Sequence, residues 1–288
     1  MLTLVTSRSS KGNTRCAERH LPTAIKHYLL ASDFDQTLSF SDSGFVLAEI
    51  LAIKGFEQKV NGLARSNLVQ QGGELAYLIR HDPDFRGVRR EHLVETGRRV
   101  ALKGAISRVV EFLERGVDGC QFHFCVVSAA PREVVVSALD GIVPADRIYG
   151  TEFDYDPQSG EVRAILRVPA GYGKVTVIEE LCERLSVAAD RVIYVGDGSS
   201  DVHVMLHVNN GEGFTIAVSE NRHLARIAQA TVLSDSAFSM LVPILHQVIG
   251  MRTREIRSLV ESHGLVLHDW EHARTDRVQI REAAAPLA

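Results

Sequence analysis

Cysteine is scarce in this chain. The four residues in 288, Cys16, Cys120, Cys125 and Cys182, include no C-x-x-C pair. A disulfide scaffold in a chain this long would need more thiols, so free or buried cysteines in a reducing cytoplasm are expected. Long apolar runs are missing too. None approaches the ~20 residues that span a bilayer. The opening "MLTLVTSRSSKGNTR" places its basic residues after a short apolar stretch, the reverse of a secretory leader. The expectation is a cytoplasmic protein that does not contact membranes. Neither sign of charge dominates: 32 Lys and Arg against 36 Asp and Glu give −4. The bulk balance therefore offers no footprint for nucleic acid. No repeat or low-complexity tract is visible. What remains is ordinary for a globular chain, 45% hydrophobic and 24% charged residues, with apolar material for a sizeable core.

The pattern along the chain divides it. Residues 1–26 carry no clear period and read as an N-terminal arm, with a short helix near "LPTAIKH". "YLLAS" reads as a buried strand that ends at Asp33. Residues 43–103 show helical spacing and no strand signal, which predicts a small inserted all-helical domain. After it, strands and helices alternate. "AISRVVEFLERG", "REVVVSAL" and "GKVTVIEELCERL" read as helices; "QFHFCVVS", "RVIYVGD" and "GFTIAV" read as strands. Two extended runs around a Pro/Gly turn at 149–168 read as a hairpin. "SAFSMLVPILHQVI" reads as one helix. Strands alternating with helices predict an α/β fold, a doubly wound parallel sheet with a Rossmann-like core. That core covers 27–42 and 104–250, and residues 251–288 read as a helix and a loose tail.

In such a sheet, ligands bind beyond the carboxyl ends of the strands. The predicted strands end in Asp33 and Asp35 ("DFDQT"), in Ser128 ("VVS") and in Asp197, with Asp201 one turn later ("GDGSSD"); "GYGK" puts Lys174 at a helix start. Three or four carboxylates at one edge need a counter-charge. Mg²⁺, a hard cation held by carboxylate and phosphate oxygens, is the natural choice. Lys174, the Ser128 hydroxyl and the amides of Ala129 and Ala130 add donors suited to a phosphoryl group.

In order, "DFDQT", "VVS", Lys174 and "GDGSSD" resemble the four motifs of the haloacid dehalogenase-like phosphatases, over about residues 28 to 235. The resemblance implies Asp33 as nucleophile and Asp35 as general acid and base. Ser128, Ala129 and Lys174 would bind the phosphoryl group. Mg²⁺ would sit on Asp33, the main-chain carbonyl of Asp35 and Asp197, supported by Asp201. The helical insert between the first two motifs resembles the cap of the phosphoserine-phosphatase branch. Nine positions after the nucleophile, where that branch carries a glutamate for the substrate amine, stands Asp42. Arg80 is the candidate for a substrate carboxylate, with Arg65 second. The implied enzyme is a phosphoric monoester hydrolase acting on a small phosphorylated metabolite such as phosphoserine. A phosphotransferase, or a non-catalytic Mg²⁺ and phosphate sensor, would use the same residues.

Other motifs read negatively. "GDGSSD" puts Asp201 where a dinucleotide fingerprint needs its third glycine, and "GYGKVT" lacks the hydroxyl residue that follows the lysine of a P-loop. "CQFHFC" has no common zinc spacing, and strand alternation turns Cys120 away from His123. The basic excess over residues 80–103 reads as a solvated face.

Overall fold

The computed structural model describes residues 25–66, 68–271 and 276–282. The expected arm, Cys16 included, and most of the helix foreseen at "LPTAIKH" lie outside the described residues; the last two residues of that stretch open a strand. The strands are β1 (Lys26–Ser32), β2 (Cys120–Pro131), β3 (Ile148–Tyr155), β4 (Val162–Arg167), β5 (Val192–Gly196), β6 (Phe214–Ala217), β7 (Ala230–Val232), β8 (Leu265–Glu271) and β9 (Asp276–Glu282). They form a nine-stranded sheet in the order β4-β3-β2-β1-β5-β6-β7-β9-β8. Pairing is parallel from β3 through β9, and antiparallel only in the two edge hairpins, β3–β4 and β8–β9.

Alternation along β1 explains the layers. Leu29 and Ala31 join the apolar cluster on one face, with Val177 and Ile178 of the helix Tyr172–Leu185; Leu30 and Phe34 join the other, with Val109 of the helix Ile106–Arg115. Because helices cover both faces, the central strands are apolar on both sides. That is why "YLLAS" and "VIYVG" are nearly continuous apolar runs.

The insert holds α1 (Ser43–Ile50), α2 (Phe56–Ser66), α3 (Glu74–His81) and α4 (Arg90–Arg99). The core helices that follow are α5 (Ile106–Arg115), α6 (Arg132–Ala138), α7 (Tyr172–Leu185), α8 (Val202–Asn210) and the short α9 (Leu224–Ile227). A two-chain neck carries the insert: Phe40 N donates to Ala101 O (2.9 Å) and Lys103 N to Leu38 O (2.8 Å). The insert also leans on the core at two further points. Ser137 Oγ of α6 donates to Val94 O of α4 (2.7 Å), and Val162 N of β4 donates to Val88 O (3.0 Å).

Two stretches differ from expectation. The helix foreseen over "SAFSMLVPILHQVI" is broken into a 3-10 turn Ala237–Met240, α10 (Leu241–Pro243) and a π turn Ile244–Val248. Pro243 lacks an amide hydrogen and its ring crowds the preceding turn, so a regular helix cannot continue through it. The chain end is a helix, α11 (Thr253–Ser262), followed not by a loose tail but by the β8–β9 hairpin, which extends the sheet through β7. Among the described residues no helix is long and apolar enough to cross a membrane.

Candidate active site

The carboxyl ends of β1, β2 and β5 meet at one edge of the sheet, with the start of α7 beside them. Asp33 N donates to Val195 O (2.8 Å), which ties the end of β1 to β5 and sets Asp33 beside the loop that carries Asp197. Lys174, fully buried in the first turn of α7, points its Nζ at Asp201 Oδ1 (2.6 Å) and Asp33 Oδ1 (2.9 Å). Asp201 is the hub. Its Oδ1 also accepts from Tyr194 OH (2.6 Å), and its Oδ2 accepts from the amides of Asp197 (3.1 Å) and Gly198 (3.0 Å). Its lone pairs are committed, so it fixes the Asp197 loop and orients the lysine. A β-carbon at Gly196 would lie 2.5 Å from Asp201 Oδ2, so only glycine allows this approach.

Asp35 sits two residues beyond Asp33 and is held by the insert. Its oxygens accept from Ser43 N (3.0 Å) and Ser43 Oγ (2.8 Å) at the first turn of α1. Burial, then Asp42 and Asp33, push its carboxyl well above the ordinary range. A raised carboxyl favours its protonated form, the form that can give a proton. Thr37 fixes the turn through Thr37 N to Phe34 O (3.2 Å), and its hydroxyl reaches Asp197 Oδ1 (3.4 Å). Lys103 donates to Gln36 O (3.0 Å), and burial holds its pKa down. Ser128, 1% exposed, opens into the cleft with Ala129 and Ala130; its Oγ accepts from Ala130 N (3.2 Å).

Asp33, Asp197 and Asp201 each bring a carboxylate oxygen within 4.8 Å of the others, the one such metal-capable group among the described residues. Burial pushes Asp33 up to about 6, against the pull of Lys174 and with the push of Asp201. Burial, then Asp33 and Asp201, carry Asp197 to about 8. Asp33 Oδ1 is buried, and the Lys174 ammonium at 2.9 Å is its ion-pair partner. Three acids against one fully buried lysine leave the cluster short of positive charge. A hard divalent cation fits Asp33 and Asp197, with Asp201 holding the loop behind them. His123, by contrast, stacks on His27 (ring centroids 5.6 Å apart), and burial pushes Cys125 up to about 12, which suits packing rather than metal binding.

Over this edge lies a cavity of about 340 Å³, floored by the acidic cluster and roofed by the insert. Phe45, Phe56, Val60 and Leu75 give it apolar walls; Asp42 and Glu74 give it acidic ones. The structure thus brings Asp33, Asp35, Ser128, Ala129, Lys174, Asp197, Asp201 and Asp42 together. Asp42 also caps α1, accepting from Gly44 N (2.7 Å). Arg80 is not brought in. It is exposed and lines a separate depression with Asp82 and Glu161. Counting 100° per residue, it stands about 240° around α3 from Glu74. Arg65 is exposed on α2 and does not line the cavity either. Much of the basic excess over 80–103 is spent on surface pairs, such as Arg89 with Glu161 and Arg99 with Glu95.

The sequence model of the haloacid dehalogenase-like hydrolases matches residues 30–206. The chain belongs to this family. Among curated proteins no relative matches it. This hydrolase resembles a solved family member from Salmonella enterica serovar Typhi at 16% identity and a TM-score of 0.53, over 68% of its own length and 63% of that chain. It also resembles a substrate-bound phosphoserine phosphatase (16% identity, TM-score 0.57, 79% of this chain and 99% of that one). A phosphoserine phosphatase held as a phospho-aspartyl intermediate analogue aligns at 16% identity and TM-score 0.58, over 79% and 100%. At such identities these likenesses speak for the fold.

Three residues of the hydrolase's site were not legible as such. Ser43 holds Asp35 from the insert, Tyr194 holds Asp201 from within β5, and Glu74 enters the cavity from α3. Tyr194 carried the one available signal, a hydroxyl in a strand otherwise apolar.

Proposed function

We propose that this hydrolase is an Mg²⁺-dependent phosphatase that cleaves a small phosphomonoester through an aspartyl-phosphate on Asp33. One observation supports the reading: the buried carboxyl of Asp33 beside Lys174, with a second carboxyl, Asp35, two residues on and raised above its ordinary range. A binding module needs the charges but not the acid. The Asp33 oxygen attacks phosphorus, and the ester P–O bond breaks as Asp35 gives its proton to the leaving oxygen. Asp35, now a carboxylate, takes a proton from water as that water attacks phosphorus. The P–O bond to Asp33 then breaks, phosphate leaves, and both acids are restored. Lys174 and the Ser128 region stabilise charge on the phosphoryl oxygens. Mg²⁺, held by Asp33, Asp197 and the Asp35 carbonyl, would supply further neutralisation of that charge. The first test is phosphate release from p-nitrophenyl phosphate and a set of small metabolite esters. Release with Mg²⁺ and none with EDTA is expected; no release from any ester with Mg²⁺ would reject the reading.

The same cluster predicts a pH-dependent response to the metal that needs no turnover. Asp33 and Asp197 are raised in the folded chain, to about 6 and about 8, above an ordinary value of 3.8. Between those values the native state holds protons that the unfolded chain has released. The stability of the metal-free protein therefore falls as pH rises through that window. Mg²⁺ binds the ionised cluster, so the rise in Tm on adding it should be small at pH 5 and grow toward pH 8. A metal-induced shift that shrinks with pH would contradict this assignment.

A further inference from the structure

The roof of the cavity carries a charge that the chemistry above does not use. Glu74, first residue of α3, is only 7% exposed and faces the cavity. Its Oε2 accepts from Gly72 N (2.7 Å); its Oε1 has no hydrogen bond or ion pair. The loop that delivers it is wedged onto the core. At Gly72, with φ +90°, a β-carbon would come within 2.9 Å of Ser200 Cβ and 3.2 Å of Ala170 Cβ. Glu74 is thus held over the phosphoryl site rather than free to turn outward.

The rest of the lining defines what this carboxylate can face. No Lys, Arg or His lines the cavity among the described residues. The nearby basic groups point elsewhere, Lys174 to Asp33 and Asp201, and Lys103 to Gln36 O. Asp42 adds a second acid to the lining. Phe45 and Phe56, edge to face with ring centroids 5.0 Å apart, give the space an aromatic side. A carboxylate on the leaving group would meet two acids and no cation. A neutral alcohol would leave a buried charge unpaired. An ammonium group would satisfy Glu74 Oε1 and gain from the aromatic faces.

We infer that the cavity reads the leaving group of a short amino-alcohol phosphate, binding its ammonium through Glu74 and discriminating against a leaving group that bears a carboxylate. This rests on the phosphatase reading. The test is calorimetric binding, in Mg²⁺, of three phosphonates whose C–P bond the enzyme cannot hydrolyse. They are 2-aminoethylphosphonate, its uncharged isostere propylphosphonate, and 2-amino-3-phosphonopropionate, which adds a carboxylate. The aminoethyl compound should bind about tenfold more tightly than the propyl one, and the added carboxylate should abolish the gain. Glu74→Gln keeps an oxygen for Gly72 N and should bring the aminoethyl and propyl compounds to within about twofold. Equal binding of those two by the wild type, tightest binding of the carboxylate-bearing one, or an undiminished preference in Glu74→Gln would each overturn the inference. In those cases continued Mg²⁺-dependent hydrolysis of p-nitrophenyl phosphate would leave the phosphatase reading standing. No binding of any phosphonate together with no hydrolysis would remove both.

Discussion

Asp33→Asn should lower kcat/KM for phosphate release at least ~10³-fold, about 4 kcal/mol of transition-state stabilisation. The amide is the same size as the carboxylate but cannot attack phosphorus. The fold should survive, because the tie between β1 and β5 runs through the main chain, Asp33 N to Val195 O at 2.8 Å. The sign of the stability change tests the electrostatics. Burial raises Asp33 to about 6 from 3.8, so ionising it costs the folded state as pH rises through that window. The full penalty, on the order of 3 kcal/mol and shared with its charged neighbours, is present at pH 8. Asparagine does not ionise. Metal-free Asp33→Asn should therefore melt no lower than metal-free wild type at pH 8, with a smaller difference at pH 5. Its Mg²⁺-induced rise in Tm should be weaker, since one anionic ligand has gone. An inactive variant that also melts far below wild type at pH 8 would mean that the carboxylate supports the fold and not the reaction.

The meeting of Asp33, Ser128, Asp197 and Lys174 at one edge was legible because they lie at strand ends and a helix start. A short apolar run that stops at Asp33, another at Ser128 and another at Asp197 each announce a parallel strand and its carboxyl end. The topology of such a sheet brings those ends together whatever the helices do. Lys174 was legible for the same reason, as the first turn of a helix that must return to the sheet. The lining of the roof was not. Glu74 and Arg80 both lie on α3, and helical spacing alone does not say which face looks down. The packing of Leu78 and Ile79 into the core settles it, and puts Glu74 inside and Arg80 out. Ser43 was hidden differently. Its value depends on Asp42 capping α1, which aims the helix start at Asp35. The C-terminal hairpin was missed because β9 pairs with β7, more than forty residues earlier. A partner that distant leaves only a short alternation, "RVQIR", as its local trace.

Lys174→Met tests the charge balance at its centre. Methionine is unbranched and of similar length, so it fills the space without forcing the helix. It leaves Asp33 and Asp201, both buried, without their cation. Removing one partner of a buried charged set typically costs 3–5 kcal/mol, for a fall in Tm on the order of 10 °C. The pH profile should identify the cause. Burial alone would lower the pKa of Lys174, but Asp201 and Asp33 outweigh it and hold it above 10.5. Its contribution is therefore complete at every pH below that value and fades only above it. The carboxylates set the other limit. As pH falls below about 6 Asp33 takes up its proton, so the lysine has less charge to balance. The gap in stability between wild type and Lys174→Met should be widest near pH 8 and narrow toward pH 5. Mg²⁺ should recover part of the lost Tm, because it neutralises Asp33, but not the part due to Asp201, whose oxygens are bound to Tyr194 and the loop amides. Activity should fall with it, through loss of the cation beside Asp33, and Mg²⁺ should not restore it. A variant that melts with wild type at pH 8 would show that the three acids are balanced without the lysine, and the charge argument for the whole site would fail.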